Sequence, residues 1–387
     1  MPNNSTLILK RKLKIDLSGN NAFFLWGARK TGKTTFLKAE FPSAKFYDLL
    51  LTDLQTKLSL HPNRLREEVL AQKPAIVILD EIQKCPELMP EIHWCLENTP
   101  TKFILCGSSA RKLKRKAADL LGGRAWRYEM HPLSISEIQN FDLLRALNHG
   151  LIPQHYVSNQ PEKFLESYVL DYLHQEIQNE ALVRNISAFS RFLDTVSATH
   201  GQMINYSNIA TQTGVSAKTV REYFQILEDT LLGYRLNAWA NGKRRMIETG
   251  RFYLFDIGLV RALNKTKTIE AGTEPFGRAF EHWVLHEIKC YLTYTGKRKE
   301  LHYWRTITGL EVDLIVGEME IAIEIKAKEN VGLRDLKGLC ALLSEEKPQK
   351  SFVISLDESK RQLENGILIW PYHDFFTALW GGEIIKS

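Results

Sequence analysis

Three apolar runs mark the first third of the chain: Ala22-Phe23-Phe24-Leu25-Trp26, Ala75-Ile76-Val77-Ile78-Leu79 and Phe103-Ile104-Leu105-Cys106. Each is short and unbroken, the pattern of a strand buried on both faces. Apolar residues recur at helical spacing between them, over 64–72 and 88–97. Alternating strands and helices predict a mostly parallel sheet with helices on both faces. The rhythm ends near His131-Pro132-Leu133-Ser134. From about Ile135 to Ala198 the pattern is helical, interrupted by Pro153 and Pro161. From about Gly272 it changes again and predicts a helix over 280–291, strands over 301–305, 311–316 and 321–326, a helix over 334–343 and a strand over 351–354.

Between these regions, 206–223 has the form of a helix-turn-helix. Ala210 is small where two helices would cross, and Gly214 supplies a turn at which positive φ is cheap. Ser216 is placed to cap the second helix. Ile209, Val215, Val220 and Phe224 form its expected local core, and 231–236 reads as a wing strand. Lys218, Thr219 and Arg221 on the second helix are the candidates for reading a DNA major groove. A winged helix serves equally as a packing or protein-interaction element.

The strongest chemical signal follows the first strand. Gly27-Ala28-Arg29-Lys30-Thr31-Gly32-Lys33-Thr34 fills every fixed position of the pattern G-x-x-x-x-G-K-[ST], and a helical run from Thr35 follows. Strand, glycine-bearing turn and helix N-terminus make an anion cradle for the phosphates of ATP. Lys33 is the expected partner of the β- and γ-phosphates, and Thr34 of Mg²⁺. The second run ends in Asp80-Glu81. Asp80 there is placed for Mg²⁺ and Glu81 as the general base that orients the attacking water. The third run ends in Gly107-Ser108-Ser109, where Ser108 or Ser109 would sense the γ-phosphate. Arg124 is the candidate charge-stabilising arginine, acting in cis or toward a neighbouring subunit. The basic segment 111–116 reads as a solvated helical face or a nucleic-acid contact.

Gly27 to Thr34, the Leu79-Asp80-Glu81 strand end, Gly107-Ser108-Ser109 and Gly122-Gly123-Arg124 together resemble the AAA+-type ATPases found in front of a DUF4143 domain. The resemblance covers nearly the whole chain. It implies a bacterial or archaeal protein with an ATPase module, a winged helix and a nuclease-like C-terminal domain. The chain departs from many AAA+ proteins in carrying Ser where they carry Asn at the sensor position.

In the C-terminal region spacing is the argument. Glu311-Val312-Asp313-Leu314-Ile315-Val316 and Ile321-Ala322-Ile323-Glu324-Ile325-Lys326 alternate like half-buried strands. Glu324 and Lys326 share a strand face, and Asp313 meets them if the two strands form a hairpin through Gly317. In that D-x(n)-E-x-K arrangement Asp313 and Glu324 would hold Mg²⁺, and Lys326 would position the attacking water and stabilise charge on a phosphate. Glu281, on the preceding helix, is a further candidate carboxylate. Motif and element order resemble the PD-(D/E)xK nuclease superfamily. His282 and His286 on that helix read as packing or solvent-facing residues rather than metal ligands.

Bulk properties narrow the setting. A chain of 387 residues suggests two to three domains. The expected division is a P-loop core at 1–135, a helical lid at 136–199, a winged helix-turn-helix at 200–265 and an α/β restriction-nuclease-like domain at 266–387. The net charge of +6 fits contact with a polyanion. Five cysteines without C-x-x-C spacing argue against a disulfide framework or zinc site. The N-terminus lacks the order of a signal peptide, and no run of about 18 apolar residues suggests a membrane span. The cytoplasm is the expected compartment. ATP, Mg²⁺, double-stranded DNA and a second copy of the ATPase domain are the expected partners. Three readings follow: a nucleotide-gated enzyme acting on DNA, an ATP-driven switch whose C-terminal domain only binds DNA or a protein, or a signalling or chaperone-like ATPase that acts without nucleic acid.

Overall fold

The structure is a computed structural model that describes residues 9–19, 21–108, 125–173, 185–239, 249–266 and 268–386. It divides into two compact units: Met1–Leu133 with Asp229–Leu232, and Ser134–Glu228 with Gly233–Ser387.

In the first unit, strands β1 (Ala22–Trp26), β2 (Lys45–Asp48), β3 (Ile76–Asp80), β4 (Lys102–Gly107) and β5 (Ala125–Glu129) form a five-stranded sheet in the order β2-β3-β4-β1-β5. Every pairing is parallel, with Trp26 beside Gly107 and Asp80 beside Cys106. Helices α1 (Lys33–Glu40), α2 (Thr52–Leu60), α3 (Asn63–Gln72) and α4 (Met89–Asn98) complete the alternation that the apolar runs predict. Phe24, Val77, Leu79 and Leu105 pack with Leu65, Val69 and Ile92 in one core. Each such side chain contributes about 1.5–3 kcal/mol of burial. That is why β1 and β4 read as unbroken apolar runs. The order places β4 between the strand that feeds the glycine turn and the strand that ends in Asp80.

The second unit begins with the short helices α5 (Leu143–His149), α6 (Pro153–Val157) and α7 (Pro161–Ser167). Pro153 and Pro161 stand in the first turns of α6 and α7, where a missing N–H costs nothing. Helices α8 (Ile186–Ala198), α9 (Tyr206–Thr213) and α10 (Ala217–Asp229) follow. Between α9 and α10, Gly214 turns the chain at φ 70°, and Ser216 Oγ accepts from Thr219 N at 3.1 Å. Phe192 packs against Tyr223 and Phe224 with ring centroids 5.2 and 5.0 Å apart.

Strands β6 (Gly233–Ala238), β7 (Arg251–Leu254), β8 (Leu301–Arg305), β9 (Glu311–Val316), β10 (Ile321–Lys326), β11 (Lys350–Ser355), β12 (Arg361–Gln362) and β13 (Leu368–Pro371) form one eight-stranded sheet, ordered β12-β13-β11-β10-β9-β8-β6-β7. The strand expected as a wing over 231–236 runs instead from Gly233 to Ala238. It pairs antiparallel with β7 and, through Asn237 and Ala238, parallel with β8. It is part of the large sheet rather than a free-standing wing.

Helices α11 (Ile257–Leu263), α12 (Glu274–Thr295), α13 (Lys337–Glu345) and α14 (Tyr372–Trp380) complete the unit. The succession α12-β8-β9-β10-α13-β11 follows the predicted element order. β8, β9 and β10 run antiparallel, and β11 lies parallel to β10. Gly317, at φ 64°, closes the β9–β10 hairpin. α13 comes against β9 at Gly338, where a Cβ would stand 1.8 Å from Glu311 O, so only glycine fits. All five cysteines are free. Among the described residues no helix is long and apolar enough to cross a membrane.

Candidate functional sites: a P-loop with its acidic strand end, and a carboxylate–lysine cluster

The glycine turn leaves β1 and enters α1. Lys30 at φ 64° and Gly32 at φ 95° reverse the chain. Gly27 has no room for a side chain, since a Cβ would stand 2.5 Å from Met130 O. Thr31 Oγ1 donates to Ala28 O at 2.9 Å and closes the loop from within. α1 begins with no side-chain cap and no acidic residue in its first turn, so its leading N–H groups remain available for an anion. Lys33 is buried, and its Nζ donates to Gly27 O at 2.8 Å and Ala28 O at 3.0 Å. Thr34 is half-buried and Thr35 exposed.

Thr34 Oγ1 donates to Asp80 Oδ2 at 2.6 Å. Asp80 is 2% exposed, and its other oxygen, Oδ1, makes no hydrogen bond. A buried carboxylate oxygen without a partner is costly, and a divalent cation relieves it. The residues therefore fit Mg²⁺: Thr34 and Asp80 would hold it.

Glu81 leaves β3 in the left-handed region at φ 58°. The Gln83 amide, Nε2, donates to Glu81 Oε2 and, at 3.2 Å, to Ser108 Oγ. Gln83 and Ser108 are both buried. Gly107 makes the space: a Cβ there would lie 2.3 Å from Gln83 Oε1. The strand ends of β3 and β4 are thus joined through Gln83, which sequence reasoning did not single out. It also passed over Arg11, whose guanidinium donates to Thr31 O and His131 O, both at 2.6 Å, and straps the glycine turn from upstream. Ser109, the basic segment 111–116 and Arg124 lie outside the described residues.

The second cluster forms where β9 and β10 part. Their ladder runs from Ile321 opposite Val316 to Ile323 opposite Leu314. Beyond it the Ile325 N–H donates at 2.7 Å to the Asp313 carboxylate instead of to a backbone carbonyl of β9. That bond brings Asp313 to Glu324 and Lys326, and Lys326 Nζ stands 2.6 Å from Glu324 Oε1. Glu324 Oε2 is buried without a hydrogen bond. Burial raises the Asp313 and Glu324 carboxyls above the usual range; repulsion from Asp313 adds to the rise at Glu324, and Lys326 opposes it. Like the P-loop site, this cluster combines a lysine with an orphan carboxylate oxygen.

Glu281 is held differently. Its Oε1 accepts from Tyr253 OH at 2.7 Å and faces Arg251 Nη1 at 3.5 Å. Burial, with repulsion from Asp313, raises its carboxyl as well. Among the described residues no group of three or more His, Cys, Asp or Glu is placed to hold a metal ion, so Glu281 does not join Asp313 and Glu324 in a three-carboxylate site. The tyrosine and arginine that claim its oxygen are the reason. His282 and His286 are buried in the packing of α12, the first of the two placements expected for them. On α10, Lys218 and Arg221 are exposed. Arg221 lies over the Tyr206 ring at 4.6 Å, and the Thr219 hydroxyl is engaged with Ser216.

Residues 19–139 match a family model described as an AAA domain. Residues 140–270 match a domain of unknown function, DUF8612, and residues 276–375 another, DUF4143. An uncharacterized protein of Haemophilus influenzae is 23% identical over 211 residues, which are 49% of this chain and 53% of the relative, so the match spans about half the relative's length. An uncharacterized protein of Methanocaldococcus jannaschii is 24% identical over 378 residues, 85% of this chain and 82% of that protein. Among solved structures, a Walker-type ATPase of Pyrococcus abyssi superposes with a TM-score of 0.44 at 13% identity, over 64% of this chain and 92% of that one. The AAA match and the glycine turn on a parallel sheet agree: the first unit is a parallel-sheet α/β domain that resembles P-loop ATPases, and the second carries a mixed sheet.

Proposed function

We propose that the protein binds ATP with Mg²⁺, hydrolyses it in the first unit, and directs the resulting change at DNA. The observation that carries the ATPase reading is the Thr34–Asp80 hydrogen bond beside the unpartnered Asp80 Oδ1. Lys33 exchanges the Gly27 and Ala28 carbonyls for the β- and γ-phosphate oxygens. Mg²⁺ supplies neutralisation of the charge shared by those phosphates. Glu81 orients the attacking water and accepts its proton. The bond from the γ-phosphorus to its bridging oxygen breaks, and ADP leaves with that oxygen. Gln83 holds Glu81 until then and reports its position to Ser108. Arg124 remains the proposed source of positive charge, in cis or from a second copy of this domain. Phosphate release from ATP, compared between the wild type and Lys33→Ala, tests this reading.

For the second unit we propose Mg²⁺-dependent hydrolysis of a phosphodiester. Convergence of Asp313, Glu324 and Lys326 supports it, and so does the orphan Glu324 Oε2. Asp313 and Glu324 would hold Mg²⁺, and Lys326 would place water against the phosphorus. Lys218 and Arg221 offer phosphate or base contacts on an exposed helix face. The test is conversion of supercoiled plasmid with Mg²⁺, with and without ATP: cleavage lost in Lys326→Met supports the reading, and an intact plasmid under all conditions removes it. A second reading, in which this unit binds DNA or a protein without cutting, is favoured by the lack of any three-ligand metal group among the described residues.

A further inference from the structure

Glu311 opens β9, and its Oε2 accepts from two guanidiniums at once: Arg251 Nη2 at 2.7 Å and Arg305 Nη1 at 2.7 Å. The three side chains are unequally exposed, at 6% for Arg251, 27% for Arg305 and 39% for Glu311. A buried guanidinium needs a counter-charge. Other acids act on Arg251 as well: Glu281 stands farther off at 3.5 Å, and Asp313 adds its charge from the same strand as Glu311. The cation is therefore fixed, while its nearest anion is a side chain with solvent to move into. Arg251 Nε and Arg305 Nε are buried and make no hydrogen bond.

These residues line a cavity of about 400 Å³ together with Tyr253, Arg278 and Glu281. That volume lies within the roughly 300–1,000 Å³ of pockets for small ligands. Arg278 brings a third guanidinium to the wall. Glu311 and Asp313 are two apart on β9 and share a face of the strand, so the cavity and the carboxylate–lysine cluster adjoin.

We propose that the Glu311 carboxylate holds the place of a phosphate group. When a polynucleotide strand binds, one backbone phosphate lies between Arg251 and Arg305, and Glu311 turns out to solvent. A phosphodiester carries the same single negative charge and offers two oxygens where Glu311 uses one, so each guanidinium gains its own acceptor. Weak anions fail to displace the tethered carboxylate, and a strand anchored by several phosphates succeeds. The choice of a polynucleotide rests on reading Asp313, Glu324 and Lys326 as a phosphodiester site; the exchange at Glu311 does not depend on cleavage.

The experiment measures binding of a fluorescein-labelled DNA duplex to the full chain by anisotropy in EDTA, so that neither cleavage nor ATP hydrolysis contributes. Glu311→Gln tightens binding by about tenfold, the order of one charge–charge contact at a partly exposed position. Arg305→Gln weakens it by about tenfold and lowers the slope of log K against log salt by about one. An ion pair that only braces the two arginines gives the opposite sign at Glu311: unchanged or weaker binding by folded Glu311→Gln overturns the proposal. Should Glu311→Gln fail to fold by circular dichroism, unchanged affinity and salt slope in Arg305→Gln overturns it alone. Plasmid cleavage is scored separately with Lys326→Met. Tightened binding without cleavage leaves the exchange standing and removes the nuclease reading, and cleavage with unchanged Glu311→Gln binding does the reverse.

Discussion

Thr34 Oγ1 and Asp80 Oδ2 lie 2.6 Å apart, although 46 residues separate them in the chain and β4 lies between β3, which ends in Asp80, and β1, which feeds the glycine turn. The bond joins the end of the glycine turn to the end of β3 and leaves Asp80 Oδ1 buried without a partner. Removing the hydroxyl leaves both Asp80 oxygens without this donor, at a cost of about 1–3 kcal/mol. Thr34→Ala is predicted to raise the Mg²⁺ concentration needed for half-maximal ATP hydrolysis, and Thr34→Ser to restore it. A Mg²⁺ titration of both variants checks this, and identical curves for Thr34→Ala and the wild type contradict it.

Glu81 leaves β3 with φ 58°, a conformation disfavoured for any side chain, and Gln83 secures it there. Glu81→Gln is predicted to keep ATP binding and to slow hydrolysis by about 10²- to 10⁴-fold, the range for loss of a general base. Parallel measurement of bound nucleotide and released phosphate separates the two effects.

Gly107 leaves the space that Gln83 fills. In Gly107→Ala the new Cβ stands 2.3 Å from Gln83 Oε1 and 2.9 Å from Trp26 Cζ3. Overpacking of this kind costs about 1–3 kcal/mol. The expected outcome is a lowered unfolding midpoint and a hydrolysis rate that falls to that of Gln83→Ala. Full activity in Gly107→Ala would mean that the Gln83 bridge has no part in hydrolysis.

The legible parts were those with a local cause. Gly27 to Thr34 announced its turn because glycines and a lysine stand at fixed spacing. β1, β3 and β4 announced themselves because burial on both faces leaves an unbroken apolar run. The order of elements from α12 to β11 was also readable, since alternation and Gly317 define the hairpin locally. What escaped depends on distant partners. β6 looked like a wing strand, and only its pairing of Asn237 and Ala238 with His302 and Tyr303 draws it into the large sheet. Gln83 and Arg11 carry no periodic signal, because their roles come from Ser108 and from the carbonyls of Thr31 and His131. Arg251 carries no local signal either, because its partners Glu281, Tyr303 and Glu311 stand on three other elements.

Glu287 on α12 is fully buried; its Oε1 accepts from Ile135 N at 2.7 Å and Trp283 Nε1 at 3.2 Å. Burial pushes its carboxyl up from 4.5 to about 8. Between those values the folded chain holds a proton that the unfolded chain has lost, so this contribution to stability falls as pH rises through the window and is whole below it. Glu287→Gln cannot ionise. The unfolding midpoint of the variant is predicted to rise relative to the wild type between about pH 5 and about pH 8. A constant difference across that range contradicts the prediction.

The central claim is that Lys33, Thr34, Asp80 and Glu81 form a site that hydrolyses ATP. Phosphate release from ATP with Mg²⁺ by the full chain, wild type against Lys33→Ala, tests it most directly. Steady turnover by the wild type and a fall of about 10²-fold or more in the variant are expected, the order of losing one charged donor to the transferring phosphoryl group. Equal rates in the two proteins, or no release by folded wild type at saturating ATP, would contradict it.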